Sequence, residues 1–441
     1  MKNRFLRHII CAVLGLAVAV VLCGCDMFTT DTDTLLTPPE PTGDLYPIQQ
    51  ALKASIKGDY TLKYPSSGDR RSAVILEDLN GDNSFEAFAF YSTVEEDVTY
   101  MNVNLIVSQN GEWRSVGRQS VVAGGVERVD FCDLDGDGTE ELLVGWEIYT
   151  STEKELAVYS CSLDGLSQRM LQQYTSYLCC DLDENGEYEV FIQTLDTANG
   201  VNAASLFEIG DSGVSQVAGS LMDRNVKSAD WPRLSELSSG QPAIYIDEIK
   251  GAGAVTEVLL FSKDTLLNPL LDATAENTKT LRSSSILSRD INLDGVIEIP
   301  IASELTAASP LDNGEKFYYT GWYSFNGEVL TQKLTTVMNL TDGYYISVPS
   351  KWVDKIAVSR DTENRSRTFY AYDAESGAVG ERIAYFQVID LKEWKKDNYN
   401  KSLYVEVCRT DNQVIIASNC AANGPLAVTT EELKSMLNLI D

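Results

Sequence analysis

A mainly β fold is predicted, in which strand pairs recur around short acidic loops and give way to a small α+β domain. Three observations predict it. Four segments share the pattern D-x-[DN]-x-[DN]-[GN]-x-x-E. The flanks of each are apolar and rich in Val, Ile, Leu, Phe and Tyr, with strand rather than helix periodicity. The acidic loops stop after Glu298, and after about residue 340 a strand series ends in a capped amphipathic helix.

Composition sets outer limits. The chain has 441 residues, 65 acids and 35 bases, with a formal charge of −30. That balance argues against a nucleic-acid partner, which needs a basic face to neutralise phosphates. The single histidine, His8, falls in a leader that is removed, so the mature chain has no imidazole base, no Ser-His-Asp engine and no histidine-ligated zinc. The length calls for two to four domains, or for repeats.

Residues 1–24 read as a lipoprotein signal peptide. Lys2, Arg4 and Arg7 form a basic start, Ile9 to Leu22 is an apolar run short for a membrane span, and Leu22-Cys23-Gly24-Cys25 closes it. Leu-x-Gly-Cys resembles the bacterial lipobox, which implies lipidation of Cys25 and a membrane-anchored, extracytoplasmic protein. Residues 25–44 are then a lipid-anchored flexible tether, polar and rich in Thr, Asp and Pro. Losing three bases and no acid makes the mature chain still more acidic, so attachment to the membrane must come from lipid and not from a basic patch.

The four acidic loops carry the chemistry. They are Asp78-Leu-Asn80-Gly-Asp82-Asn-Ser-Phe-Glu86, Asp133-Leu-Asp135-Gly-Asp137-Gly-Thr-Glu-Glu141, Asp181-Leu-Asp183-Glu-Asn185-Gly-Glu-Tyr-Glu189 and Asp290-Ile-Asn292-Leu-Asp294-Gly-Val-Ile-Glu298. Carboxylates and amides at positions 1, 3 and 5 of a tight loop turn inward on one hard cation, Gly or Asn at position 6 permits positive φ, and Glu at position 9 closes an oxygen-only cage suited to Ca2+. An EF-hand needs a bidentate Glu at position 12, where this chain has Ala89, Val144, Ile192 and Ile301. The metal is expected to be structural, since a single loop leaves little open coordination.

The starts are 55, 48 and 109 residues apart, so a degenerate copy is expected in the long gap. Residues 243–261 fit, with Asp247, Glu257 and Lys250 in the loop; this copy is expected to be metal-free. Strand–loop–strand hairpins of this kind resemble FG-GAP or VCBS repeats of integrin-like β-propellers. The resemblance covers roughly residues 65–340 and implies four-stranded antiparallel blades whose first two strands are joined by the calcium loop. Further hairpins, such as MNVNLIVSQNGEW at 101–113 and KFYYTGWYSFNGE at 316–328, supply the remaining strands. The predicted propeller spans 45–339 with about five blades, and 45–70 has room for a sixth.

Residues 340–441 are predicted as the α+β domain. The strand–Pro–x–x–Trp step at Tyr344 to Trp352 resembles the opening of PsbP-like modules. Strands follow at 355–360, 367–373, 382–391 and 404–419, then a capping box at Thr429 opens a helix to Ile440. Trp352 and Trp394 are expected to pack. Cys132, Cys161, Cys179, Cys180, Cys408 and Cys420 permit disulfides in an exported chain but also fit as buried hydrophobes, and no Cys-x-x-Cys occurs. No catalytic set stands out. The expected function is a calcium-stabilised, non-catalytic binding or scaffolding lipoprotein with an extracellular protein or glycan partner. The alternative is a polysaccharide-active enzyme using carboxylates such as Glu147, Asp223, Asp230 or Glu248.

Overall fold

The computed structural model describes residues 45–149, 154–162, 165–210, 213–276, 278–305, 317–396, 399–421 and 423–440. The leader, Cys25 and the 26–44 segment lie outside them. Among the described residues no helix is long and apolar enough to cross a membrane.

Six antiparallel sheets follow one another along the chain, a mainly β fold of the propeller kind. The first is built on Val74–Glu77, Glu86–Glu95, Val98–Gln109 and Glu112–Val121. The second comprises Gly125–Cys132, Glu141–Glu147, Lys154–Ser162 and Gly165–Tyr174. The third comprises Ser176–Cys180, Glu189–Asp196, Val201–Gly210 and Gly213–Leu221. In each, consecutive strands pair as neighbours through tight turns. Asn110-Gly111 makes one such turn, both residues having positive φ as the hairpin signal requires.

Successive sheets pack face to face, because the inner strands are apolar on both sides and alternate residues face opposite neighbours. Leu142 and Leu143 show the rule. Leu142 joins Phe88, Val103 and Val144 between sheets one and two, while Leu143 joins Val158, Val190 and Ile192 between sheets two and three. Phe191 packs with Ile244 and Leu259 between sheets three and four. Tyr245 packs with Ile299 and Phe325 between sheets four and five. Ile346 packs with Val358, Phe369 and Phe386 between sheets five and six.

Helices cover the outward faces at both ends of the series. Helix α1 (Leu45–Ser55) lays Ile48 and Leu52 on Ala87, Ala89, Tyr91 and Ile106 of the first sheet. Helix α2 (Leu391–Lys395) sets Trp394 against Ile389, Val414 and Ile416 of the sixth. Segment 45–70 therefore holds this helix and adds only Thr61–Leu62 to the first sheet, not a further blade.

Two further expectations differ from the structure. The fourth sheet contains Arg233–Glu236, Pro242–Lys250 and Gly253–Ser262, with Pro242–Lys250 in the second-strand place. Residues 243–261 are thus a hairpin of the second and third strands, turning at Gly251. The connection that would correspond to a calcium loop is the short segment 237–241, so no degenerate loop exists at 247–257. The fifth sheet, which begins with Ile299–Glu304 and Tyr318–Phe325, runs across the 339/340 boundary. Leu330–Asn339 pairs with Tyr344–Ser347, which in turn pairs with Leu437–Leu439 near the C-terminus. The predicted terminal helix is accordingly short. Helix α3 (Thr430–Met436) has the expected capping box between Thr429 and Glu432, then yields to strand where the backbone finds a sheet edge.

The strands at Ile356–Asp361, Ser366–Asp373, Ala378–Asp390, Val405–Arg409 and Gln413–Asn419 form the sixth sheet. Trp352 is buried beside Phe369, and Trp394 is buried under α2, so both are packing residues.

Candidate metal centres

In sheets one, two and three the acidic loop joins the first strand to the second, and in sheet five it runs from an isolated bridge at Arg289 into the strand Ile299–Glu304. The recurrence follows from local chemistry. The position-1 carboxylate accepts from the backbone N–H of position 6, from Asn83 at 2.8 Å, Gly138 at 3.0 Å, Gly186 at 3.1 Å and Gly295 at 2.8 Å. The position-9 Glu accepts from the position-2 N–H, from Leu79 at 3.4 Å, Leu134 at 3.0 Å, Leu182 at 2.8 Å and Ile291 at 3.2 Å. One carboxylate oxygen of each Glu therefore ties the loop together, and the other oxygen of Glu298 accepts from Asn292 Nδ2.

Position 6 has positive φ in every copy, as expected: Asn83 at 65°, Gly138 at 86°, Gly186 at 92° and Gly295 at 90°. Position 4 has it as well, in Gly81, Gly136, Glu184 and Leu293. This second left-handed residue was not signalled by the shared pattern, because two of the four copies place a side chain there.

The carboxylates converge in three of the four loops. In Asp133, Asp135 and Glu141, in Asp181, Asp183 and Glu189, and in Asp290, Asp294 and Glu298, one oxygen from each residue lies within 4.8 Å of the others. Asn185 and Asn292 share the third and fourth loops through their amides. Asp137 stands outside the second trio and caps the backbone of Thr139 at 2.7 Å. In the first loop Asp78, Asn80, Asp82 and Glu86 make the same turn, but their carboxylates do not form such a trio and Glu86 is half-buried.

The donor sets fit a hard cation. Asp133 Oδ1, Asp135 Oδ1 and Glu189 Oε1 are buried acceptors with no hydrogen-bond partner. Buried acceptors without donors are costly, and an oxygen-seeking cation satisfies several at once. Glu141, Glu189 and Glu298 are each pushed up to about 7, first by burial, although the backbone N–H each accepts pulls the other way and neighbouring acids push further. Glu86 is raised for the same leading reason.

The fourth sheet solves the same problem with basic side chains. Buried Asp247 accepts from Arg282 Nη2 at 2.9 Å, Arg233 Nη2 at 2.6 Å, Thr256 Oγ1 at 2.6 Å and Ser288 Oγ at 2.7 Å. Lys250 Nζ lies 2.5 Å from buried Asp223. Asp247 and Lys250 thus belong to two separate protein-internal ion pairings rather than to a metal loop; the distant partners Arg282 and Ser288 carry no local sequence signal.

Of the acids considered for catalysis, Asp223 and Glu248 are buried close together with Glu257 of the fourth sheet, while Glu147 lies in the second. Glu147 accepts from Ser66, Asp223 from Lys250, and Glu248 from Gln193 at 2.6 Å and Asn202 at 2.7 Å. Asp230 lines a polar cleft of about 710 Å3 with Tyr174, Asp196 and Trp231.

No family model matches this chain, and no curated protein matches it. Solved structures with some likeness include an exotype rhamnogalacturonan lyase, YesX, at 10% identity and a TM-score of 0.32, covering 82% of this chain and 90% of that one. The Pseudomonas aeruginosa periplasmic gluconolactonase PpgL follows at 12% and 0.28, covering 73% of this chain and 87% of that one. The Dos1 propeller has 10% identity and a TM-score of 0.30, covering 81% and 82%. Likenesses this remote carry no inference about what this chain binds or transforms.

Proposed function

We propose that this chain is a calcium-stabilised binding or scaffolding module without catalysis, with FG-GAP or VCBS-like loops, held to the outer face of a bacterial membrane through lipid on Cys25. The observation that supports the metal most directly is the second loop. There Asp133 and Asp135 each leave a buried oxygen unpartnered in one trio with Glu141. Asp133, Asp135, Asp137 and Glu141 would hold the ion there, and the corresponding residues of the third and fourth loops would hold two more. The ion supplies charge neutralisation and rigidity to a hairpin at a sheet edge, not a reactive water.

Calcium addition should raise the thermal midpoint of the mature protein by several degrees, and chelation should lower it. The double variant Asp133→Ala, Asp137→Ala should lose most of that response. Equal midpoints with calcium and with chelator would overturn the assignment. Membrane attachment is tested separately, by fatty-acid labelling that Cys25→Ala abolishes. An extracellular protein or glycan partner is tested by calcium-dependent capture on the anchored protein.

A further inference from the structure

The six described cysteines are all free thiols, and strand alternation sorts them among different interfaces. Cys161 packs between sheets one and two. Cys180 is buried between sheets three and four. Cys408 lies against the core shared by sheets five and six, and Cys420 is exposed. Only Cys132 and Cys179 share an interface, the one between sheets two and three.

Cys132 ends the strand Gly125–Cys132, and Cys179 is the penultimate residue of Ser176–Cys180. Of the tandem pair, Cys179 turns to the second sheet and Cys180 to the fourth, as consecutive strand residues must. Cys179 packs against the same core as Cys132, close enough for the two thiols to interact. Both precede acidic loops closely, Cys132 directly before Asp133 and Cys179 two residues before Asp181.

We propose that Cys132 and Cys179 form a disulfide that links the second and third sheets at the bases of their acidic loops. A low-molecular-weight disulfide is the co-reactant. One protein thiolate attacks it, forming a mixed disulfide and releasing one thiol. The second protein thiolate then displaces the other half, so the two protein sulfurs are oxidised and the donor is reduced to two thiols that carry the protons.

The full chain is refolded with a mixture of oxidised and reduced glutathione, alkylated with iodoacetamide and digested without reduction. Mass analysis should find the peptide containing Cys132 joined to the peptide containing Cys179 and Cys180, two hydrogen masses lighter than the separate thiol peptides. The link should persist in Cys180→Ala and vanish in Cys179→Ala. Cys132→Ser, checked for native β circular dichroism, is the second variant should Cys179→Ala fail to fold; it should leave Cys179 alkylated. Alkylation of both Cys132 and Cys179 in the wild-type folded protein, or a link that survives Cys179→Ala and is lost in Cys180→Ala, overturns the proposal.

Discussion

Leu293 occupies position 4 of the fourth acidic loop with φ at 61°, and it is 87% exposed. A β-carbon in left-handed backbone crowds the following carbonyl, and an exposed side chain gains no packing in return. Leu293→Gly should therefore stabilise the protein by about 0.5–1 kcal/mol, read from chemical denaturation at constant calcium. An unchanged or lower midpoint would show that this turn bears no strain. Glu184, at the same position of the third loop, has φ at 60° and should respond in the same direction. Residues of this kind mark the limit of legibility in the loops. Positions 1, 3, 5 and 9 are visible in the sequence because each uses a side chain that the loop itself requires, the carboxylate that accepts from position 6 being the plainest example, and position 6 is visible because it is Gly or Asn. Position 4 is set by backbone geometry alone, and a chain can meet it with Gly, Glu or Leu.

Among the elements, helix α1 decides whether the first sheet is a finished surface. Ala87, Ala89, Tyr91 and Ile106 point away from the second sheet and are fully buried under Ile48 and Leu52 of the helix, with Tyr60, Leu62 and Trp113 packed beside them. Leu52→Ala should cost about 2–5 kcal/mol, as for other fully enclosed leucines. A loss under about 1 kcal/mol in denaturant unfolding would mean that the helix is not docked in solution. The strands and their order were legible because both their apolar runs and their Asn-Gly turns are local signals. The short fourth-sheet connection was not, since the residues around Asp247 imitate a calcium loop in composition. Its true partners, Arg233, Arg282 and Ser288, lie 14, 35 and 41 residues away in the chain. The last strand was hidden for a related reason. Leu437–Leu439 carries an amphipathic helical pattern, and only the open edge at Tyr344–Ile346 turns it into sheet.

For the molecule as a whole, burying so many acids ties stability to both pH and calcium. Glu141, Glu189 and Glu298 rise from an ordinary value of 4.5 to about 7. Folding therefore favours their protonated forms. The stability this contributes is complete below the ordinary carboxylate range and is lost as pH rises through 7. In chelator, the thermal midpoint should fall between about pH 5 and pH 7.5. Calcium binds the ionised carboxylates and displaces their protons, so its stabilising effect should grow over the same interval and flatten the curve. Part of the slope should survive calcium. Glu257 is also pushed up to about 7, and Glu248 is raised well above its usual range, both chiefly by burial. These two lie in the fourth sheet, where no acidic loop occurs, and Glu257→Gln should remove part of the calcium-insensitive slope while leaving the calcium-dependent part. Midpoints measured across this pH range, with calcium and with chelator, separate the two contributions. A calcium increment that stays constant with pH would dissociate the metal from the three buried glutamates and leave their raised values to the fold alone.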